Sequence, residues 1–426
     1  CIAKKITSAK LIPRYAQFTE FKNKDGLTVD SGILIYFKAP HSFTGEDIIE
    51  LQAHGGPALL DTLLNTCCHF GARFASPGEF SLRAFINDKL DLAQAESLPD
   101  LIGASTERAV ISAANSLQGE FSERVKELAK QILELRIMVE ASLDFPEEEI
   151  DFLEDLSICK RVANLVEKIE LLRALAQEGK LLSEGATFVI AGEPNVGKSS
   201  LLNALTYTNR AIVSDIPGTT RDTISEEIQL DGIPINIVDT AGLRDTDDSI
   251  EQEGVTRTIT AASKADRVLL VFDVSKIPNL DDLDLNLLLA QFRDIPEEVG
   301  KTIIFNKTDL SDHPSREHQK NGQSFYTLSA KTGEGISDLK RHLKNSLIPE
   351  SDAKNNPITA RQRHISALES CINTLKKAAA SFEVTRAGEL LAEDLRLCAD
   401  DLNKITGKNC DEELLNQIFS RFCIGK

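Results

Sequence analysis

Seven apolar residues, Leu117, Phe121, Val125, Leu128, Ile132, Leu135 and Val139, recur at spacings of four, four, three, four, three and four. That period lays them on one stripe of a long helix, with Glu and Lys covering the other faces. Pro146 and the acidic run Glu147-Glu148-Glu149 end the pattern, and a second helical period runs from about residue 155 to 180. A stripe of this kind predicts bundle core and carries no functional claim. From residue 186 to about 348 the period changes. Short apolar runs at 188–191, 235–238, 268–272, 302–305 and 325–328 alternate with helical stretches. This alternation predicts a parallel sheet with covering helices, its buried strands apolar on both faces. After Pro357 the helical pattern returns as two amphipathic segments split by Gly407.

The first 88 or so residues read differently. Strands are predicted at 32–37 and 48–53, a helix at 58–68, and a loop at 74–80 with Ser81 placed to cap the next helix. The pattern therefore predicts an α+β domain over 1–89, one part of a helical domain over 90–185, an α/β domain over 186–348 and the second helical part over 349–426. Two helical tracts on either side of an α/β region imply one discontinuous bundle with the α/β domain inserted.

Composition narrows the class. Of 426 residues, 42% are hydrophobic and 27% charged, which is ordinary for a soluble globular protein. No apolar run approaches the roughly 20 residues of a membrane helix, so no membrane association is expected. The chain begins with Cys1 in place of Met, from which an upstream stretch is expected. The net charge of −18 argues against a protein that coats nucleic acid, although a local basic patch is compatible with it. Eight cysteines without a C-x-x-C pair read as free thiols of a reducing cytosol, hence a cytoplasmic protein. With no Trp and 5% aromatics, stacking platforms for single strands are not expected.

The chemistry lies in the α/β region. Gly192-Glu193-Pro194-Asn195-Val196-Gly197-Lys198-Ser199 follows an apolar strand and leads into a helix, the context that confirms a G-x-x-x-x-G-K-[ST] phosphate loop. Its glycines let backbone N–H groups turn toward phosphates, and the helix N-terminus adds positive potential. Lys198 would neutralise phosphate charge and the Ser199 hydroxyl would bind Mg²⁺. In the second segment, Ser214-Asp215-Ile216-Pro217-Gly218-Thr219-Thr220, the threonine Thr220 can complete the Mg²⁺ shell. The third is Asp239-Thr240-Ala241-Gly242, where the carboxylate can hold Mg²⁺ through water and the Gly242 N–H can meet the γ-phosphate.

Two more segments choose the base. Asn306-Lys307-Thr308-Asp309 offers a carboxylate to guanine N1–H and its 2-amino group, a donor pair that adenine lacks. Ser329-Ala330-Lys331 would supply a backbone contact to O6. Five segments in order, each at a strand end, point to GTP. Leu243 stands where many GTPases carry a water-orienting glutamine. Three explanations stay open at this point: a feeble switch, an external activator, or a nearby polar residue or monovalent cation.

Taken with the flanks, these motifs resemble the tRNA-modifying GTPase family known as MnmE or TrmE. Gly-x-Pro-Asn-x-Gly-Lys-Ser-Ser, Asp-Ile-x-Gly-Thr-Thr-Arg-Asp and Asp-Thr-Ala-Gly-Leu-Arg are similar to its switch regions, and would by themselves also suit ribosome-assembly GTPases. The flanks separate the two. Gly45-Glu46-Asp47, His54-Gly55-Gly56, Pro77-Gly78-Glu79-Phe80 and Asn87-Asp88-Lys89-Leu90-Asp91-Leu92 look like the family's N-terminal domain, and Phe422-Cys423-Ile424-Gly425-Lys426 like its terminus. The resemblance covers the whole chain apart from an N-terminal stretch of the family.

The resemblance implies an α+β folate-binding-like domain, a discontinuous helical bundle and an inserted Ras-like P-loop GTPase domain. It also implies a K⁺-activated GTPase whose nucleotide domains meet face to face. Asn195, Ser214, Ile216 and Thr219 map to the K⁺ ligands and Glu251 to the water-positioning glutamate. GTP would contact Asn195, Val196, Gly197, Lys198, Ser199, Ser200, Ser214, Asp215, Ile216, Gly218, Thr219, Thr220, Asp239 and Gly242, besides the base segments Asn306, Lys307, Asp309, Ser329, Ala330 and Lys331. Glu50, Lys89 and Lys426 map to contacts of a 5-formyl-tetrahydrofolate-type ligand. Cys423 is tied to tRNA modification with its chemical role open. A homodimer joined to an FAD-dependent MnmG-type subunit in a heterotetramer would modify C5 of wobble uridine 34 in tRNA. A regulatory ribosome-assembly GTPase is the competing reading, and reduced-folate binding separates the two.

Overall fold

The computed structural model describes residues 2–144, 157–206, 225–239, 261–347, 357–420 and 422, apart from 264, 281, 321 and 409. The N-terminal third carries strands β1 (Gln17–Lys22), β2 (Thr28–Phe37) and β3 (Ile48–Gln52), then helices α1 (Pro57–His69), α2 (Glu79–Ile86), α3 (Leu92–Gly103), α4 (Glu107–Leu117) and α5 (Glu120–Asp144). Helix α6 (Ser157–Glu184) leads into β4 (Ala186–Ala191), α7 (Lys198–Thr206), β5 (Ser225–Leu230), β6 (Ile233–Asp239), β7 (Arg267–Asp273), β8 (Gly300–Asn306), β9 (Glu317–Lys320) and β10 (Gln323–Thr327). Helices α8 (Ile336–Leu347), α9 (Gln362–Thr385), α10 (Gly388–Thr406) and α11 (Glu412–Phe419) complete the order. The chain forms two compact units, one of Cys1–Pro99, Ser116–Ile169 and Ala367–Lys426, the other of Asp100–Asn115 and Glu170–Ser366.

In the first unit β1, β2 and β3 make an antiparallel sheet in that order. Ile6, Phe21, Leu34 and Leu63 of α1 close its core. Gly32 is required in β2, because a Cβ there would stand 2.1 Å from the Gln52 carbonyl and 2.8 Å from the Phe21 ring. The stripe from Phe121 to Val139 is buried along α5, which packs on α10, a helix whose buried residues include Leu391, Leu395, Cys398 and Leu402. Leu117 lies outside that helix: Gly119, at φ +95°, separates α4 from α5, where the periodicity predicts one continuous helix. Ser81 is no cap either. Helix α2 starts at Glu79 behind Gly78, which sits at φ +65°, and Ser81 is buried within the helix.

In the second unit seven strands form one sheet in the order β5-β6-β4-β7-β8-β10-β9. The five inner strands are parallel, as their apolar runs predict, while β5 and β9 are antiparallel edges. The sheet is therefore mixed. Both edges are polar, Ser-Glu-Glu-Ile-Gln-Leu and Glu-His-Gln-Lys, which is how an edge avoids further pairing. One apolar layer fills each face of the sheet, around Phe188 and Leu201 on one side and Val268 and Phe305 on the other. The chain enters and leaves this domain side by side. At Gly179 of α6 a Cβ would lie 1.7 Å from the Ile358 carbonyl on the returning segment, so only hydrogen fits. The α/β domain is thus an insertion between helical segments.

Candidate nucleotide site

The phosphate-loop segment leaves β4 at Ala191 and enters α7 at Lys198. Three of its residues have positive φ: Gly192 at +151°, Asn195 at +63° and Gly197 at +94°. A side chain at Gly192 would meet the Val271 carbonyl of β7 at 2.2 Å, and one at Gly197 the Asn306 Nδ2 at 2.3 Å. The two motif glycines are thus fixed by close approach as well as by backbone angle. Lys198 is buried, and its Nζ donates to the carbonyl oxygens of Gly192 at 2.9 Å and Glu193 at 2.8 Å. The loop wraps its own ammonium, while Asn195, Ser199 and Ser200 stay exposed.

Asn306, the last residue of β8, is the brace of this end of the sheet. Its Nδ2 donates to the Val196 carbonyl at 2.9 Å, and its Oδ1 accepts from the Ala330 N–H at 2.9 Å. Val196 and Asn306 are both 2% exposed, so these bonds form out of water, where leaving a partner unmet is costly. One side chain thereby ties the phosphate loop to the segment Ser329-Ala330-Lys331. Ser329 is buried, and its Oγ donates to Asp309 Oδ1 at 2.7 Å while accepting from the Thr332 N–H at 3.2 Å. The Asp309 carboxylate is thus aimed by a serine from the neighbouring loop. The donor set suits a guanine nucleotide: amides and a lysine for phosphates, a held carboxylate for the base.

Lys307 adopts φ +72°, and its Nζ donates to Asp273 Oδ2 at 2.7 Å. Asp273 ends β7 and also accepts from Ser275 N at 3.0 Å and Ser275 Oγ at 2.6 Å. Burial alone would raise its carboxyl, but the bonds from Lys307 and Ser275 outweigh that and hold it below the ordinary value. Asp273 was not among the sequence candidates. The signal available was an Asp-x-Ser step directly after an apolar strand, an Asx-turn pattern.

Asp239 is the last residue of β6, with its side chain outside the description. Ser214, Asp215, Ile216, Gly218, Thr219, Thr220, Gly242, Leu243, Glu251, Cys423 and Lys426 lie outside the described residues. Of the predicted folate contacts, Glu50 is exposed on β3 with Gln52 Nε2 at 3.5 Å from its Oε2. Lys89 is exposed and crosses Gly45, whose absent Cβ would stand 3.1 Å from Lys89 Cε. Neighbouring motif residues do structural work. Glu79 takes bonds from Arg73, Arg83 and Ser76 N, which lower its carboxyl to about 2, Arg73 being the largest cause. Arg83 also reaches Glu46 at 2.8 Å. Asp47 accepts from Ala39 N at 2.8 Å, and His54 pairs with Asp30 at 2.9 Å. No described helix is long and apolar enough to cross a membrane.

Comparison with known proteins bears on both units. The family model described as "MnmE helical domain" matches residues 92–423, and "GTP-binding protein TrmE N-terminus" matches residues 1–89. The tRNA modification GTPase MnmE of Coxiella burnetii (strain Dugway 5J108-111) is 50% identical over 426 residues, 100% of this chain and 93% of that protein. The protein of the same name from Shewanella baltica (strain OS195) is 48% identical over 415 residues, 97% of this chain and 91% of that protein. Among solved structures, the G domain of the T. maritima FeoB iron transporter is 26% identical, covering 38% of this chain and 98% of its own, at a TM-score of 0.27.

Proposed function

The chain belongs to the MnmE (TrmE) family of tRNA modification GTPases, and on that premise we propose a residue-level reading of how it works. The family fixes the coarse activity: GTP hydrolysis in the service of tRNA modification. In our reading the turned amides of Gly192–Ser199 and Lys198 bind the β- and γ-phosphates, with Asn195, Val196, Gly197 and Ser200 completing the cradle. Ser199 and Thr220 hold Mg²⁺, and Asn306, Lys307, Asp309, Ser329, Ala330 and Lys331 select guanine. Asn195, with Ser214, Ile216 and Thr219, holds K⁺, which when bound places positive charge where the β–γ bridge becomes negative. Glu251 positions the attacking water in place of the glutamine that Leu243 replaces.

The wider reading is a homodimer that joins an FAD-dependent subunit to modify C5 of uridine 34, in the cytoplasm. Its one-carbon unit comes from a reduced folate held by Glu50, Lys89 and Lys426. The observation that carries the nucleotide part is the Asn306 brace, because it fixes phosphate and base segments relative to one another. With a net charge of −18, the bulk of tRNA-phosphate binding falls to the partner subunit.

Turnover measured in KCl and NaCl at matched ionic strength tests the cation. Several-fold faster hydrolysis in KCl is expected, and equal rates would remove K⁺ and Asn195 from the mechanism. Calorimetry with 5-formyl-tetrahydrofolate tests the N-terminal domain. Heat of binding is expected there, and its absence at saturating protein would return the ribosome-assembly reading to the front.

A further inference from the structure

Asp273 stands outside every nucleotide motif, yet its carboxylate is bound to one of them. It is the residue of β7 in register with Asn306 on β8, so the Lys307 side chain folds back onto the neighbouring strand end to reach it. The Asp273 side chain is 8% exposed and that of Lys307 27%, so the ion pair is largely enclosed. Asp273 is itself held. Its other oxygen takes both Ser275 bonds, and the next turn is pinned by His313 Nε2 on the Ile277 carbonyl at 2.9 Å. His313 lies only a few residues beyond Asp309, so the turn after β7 is fastened to the base loop at two places.

We propose that Asp273 is a positioning residue for guanine nucleotide, acting through Lys307. A lysine stem with a free end samples many rotamers, and that freedom must be surrendered when a ligand packs on it. Anchored at Asp273, Lys307 has surrendered it already and presents its four methylenes as a preset wall beside the Asp309 carboxylate. The left-handed backbone at Lys307 agrees with this role. Such a conformation costs a non-glycine residue and persists where the surroundings impose it. Here the Asp273 anchor and the bond from Thr308 N to the Leu328 carbonyl at 3.2 Å impose it from both sides.

The inference rests on the assignment of Asn306–Asp309 to the base, and the experiment separates the two. Asp273→Asn keeps the shape and the acceptor for Ser275 but removes the charge that binds Lys307. With the amide oxygen kept on Ser275, the asparagine turns its NH₂ toward the Lys307 ammonium, so the charged hydrogen bond is lost outright, which predicts GDP dissociation about tenfold faster, the equivalent of roughly 1.4 kcal/mol. The pair is already formed without nucleotide, so the same change should also lower the melting temperature of the nucleotide-free protein modestly, and release is compared at a temperature where both proteins are folded. Asp273→Ala removes the turn as well and should lower the melting temperature further. If only Ala accelerates release, or if Asn releases GDP within twofold of the parent, Asp273 is a turn residue and the positioning role is wrong. Asp309→Asn is the control for the premise. It should weaken GDP and admit the xanthine nucleotide, whose C2 carbonyl can meet an amide donor. Unchanged guanine affinity in that variant would show instead that the base loop itself is misassigned.

Discussion

Asn306→Ala tests the geometry on which the nucleotide reading depends. The change removes two bonds of 2.9 Å, to the Val196 carbonyl and from the Ala330 N–H. A buried partner left unmet costs about 1–3 kcal/mol. Val196 is 2% exposed, so its carbonyl counts near the upper end, whereas Ala330 is half-buried and counts near the lower. The sum is about 4 kcal/mol. If the loops must be reordered by the nucleotide, that cost appears in binding, with a ceiling of roughly 800-fold in Kd. If the loops stay ordered, it appears as lost stability of the nucleotide-free protein. Dissociation of a fluorescent GDP analogue and thermal unfolding with and without nucleotide measure the two shares. We expect at least a tenfold weaker GDP complex together with a lower melting temperature. A variant within threefold of the parent in affinity and unchanged in melting would show that each loop holds its shape alone.

Three other perturbations concern contacts away from that brace. Glu79→Gln should destabilise α2 by about 2 kcal/mol at pH 7, discounted from the shift because Arg73 and Arg83 are 65% and 44% exposed. The depressed carboxyl stabilises above pH 4.5, and this is lost as pH falls toward about 2, so the parent–variant gap should narrow only below 4.5. Because two compact units need not unfold together, amide exchange of residues 79–86 is the suitable readout, and a pH-independent gap would refute the assignment. His342 is held below its ordinary value first by burial and then by Arg267. Its unfolded form takes up a proton more readily, so stability falls as pH drops below about 6.5, and His342→Gln should flatten that slope in chemical denaturation. Gly232→Ala would force a non-glycine residue to φ +88° with its Cβ 2.6 Å from Arg108 Cδ, costing roughly 1–3 kcal/mol in thermal unfolding. Unchanged melting would show that the turn relaxes freely.

The legible parts of the sequence were those set by period and by motif. The α5 stripe was legible because the six apolar residues from Phe121 to Val139 keep helical spacing, and the inner strands because burial on both faces demands continuous apolar runs. The edge strands were not, since Ser-Glu-Glu-Ile-Gln-Leu and Glu-His-Gln-Lys have the composition of loops. A better signal existed for β5. Asp231-Gly232 is an Asp-Gly turn with φ +48° and +88°, the hairpin geometry that matches strand twist. Ser81 failed as a cap because Gly78 supplies the left-handed entry, and its missing Cβ leaves room for the Phe419 carbonyl, 2.6 Å from where that atom would stand. Nothing local to Gly78 announces a contact with residue 419. Asp273 was missed for the same reason: its partner Lys307 is adjacent in the sheet and 34 residues away in sequence.

The same contrast separates the two halves of the nucleotide reading. Phosphate loop, base loop and Ser329 segment are joined by Asn306, Ser329 and Asp273 through bonds between strand ends, so their geometry follows from the sheet. Thr220 instead precedes β5 in sequence, Gly242 and Glu251 follow β6, and all three lie outside the described residues, whereas β5 and β6 form one described hairpin. That hairpin is fastened at its turn. Thr106 Oγ1 accepts from Ala109 N at 3.1 Å, capping α4, and donates to the Gly232 carbonyl at 2.8 Å. Arg108 adds a bond to the Asp231 carbonyl at 3.3 Å while paired with Glu178 at 2.7 Å. The residues proposed to choose the base thus stand at bonded strand ends, and the hairpin formed by β5 and β6 is bonded at its turn to Thr106 and Arg108.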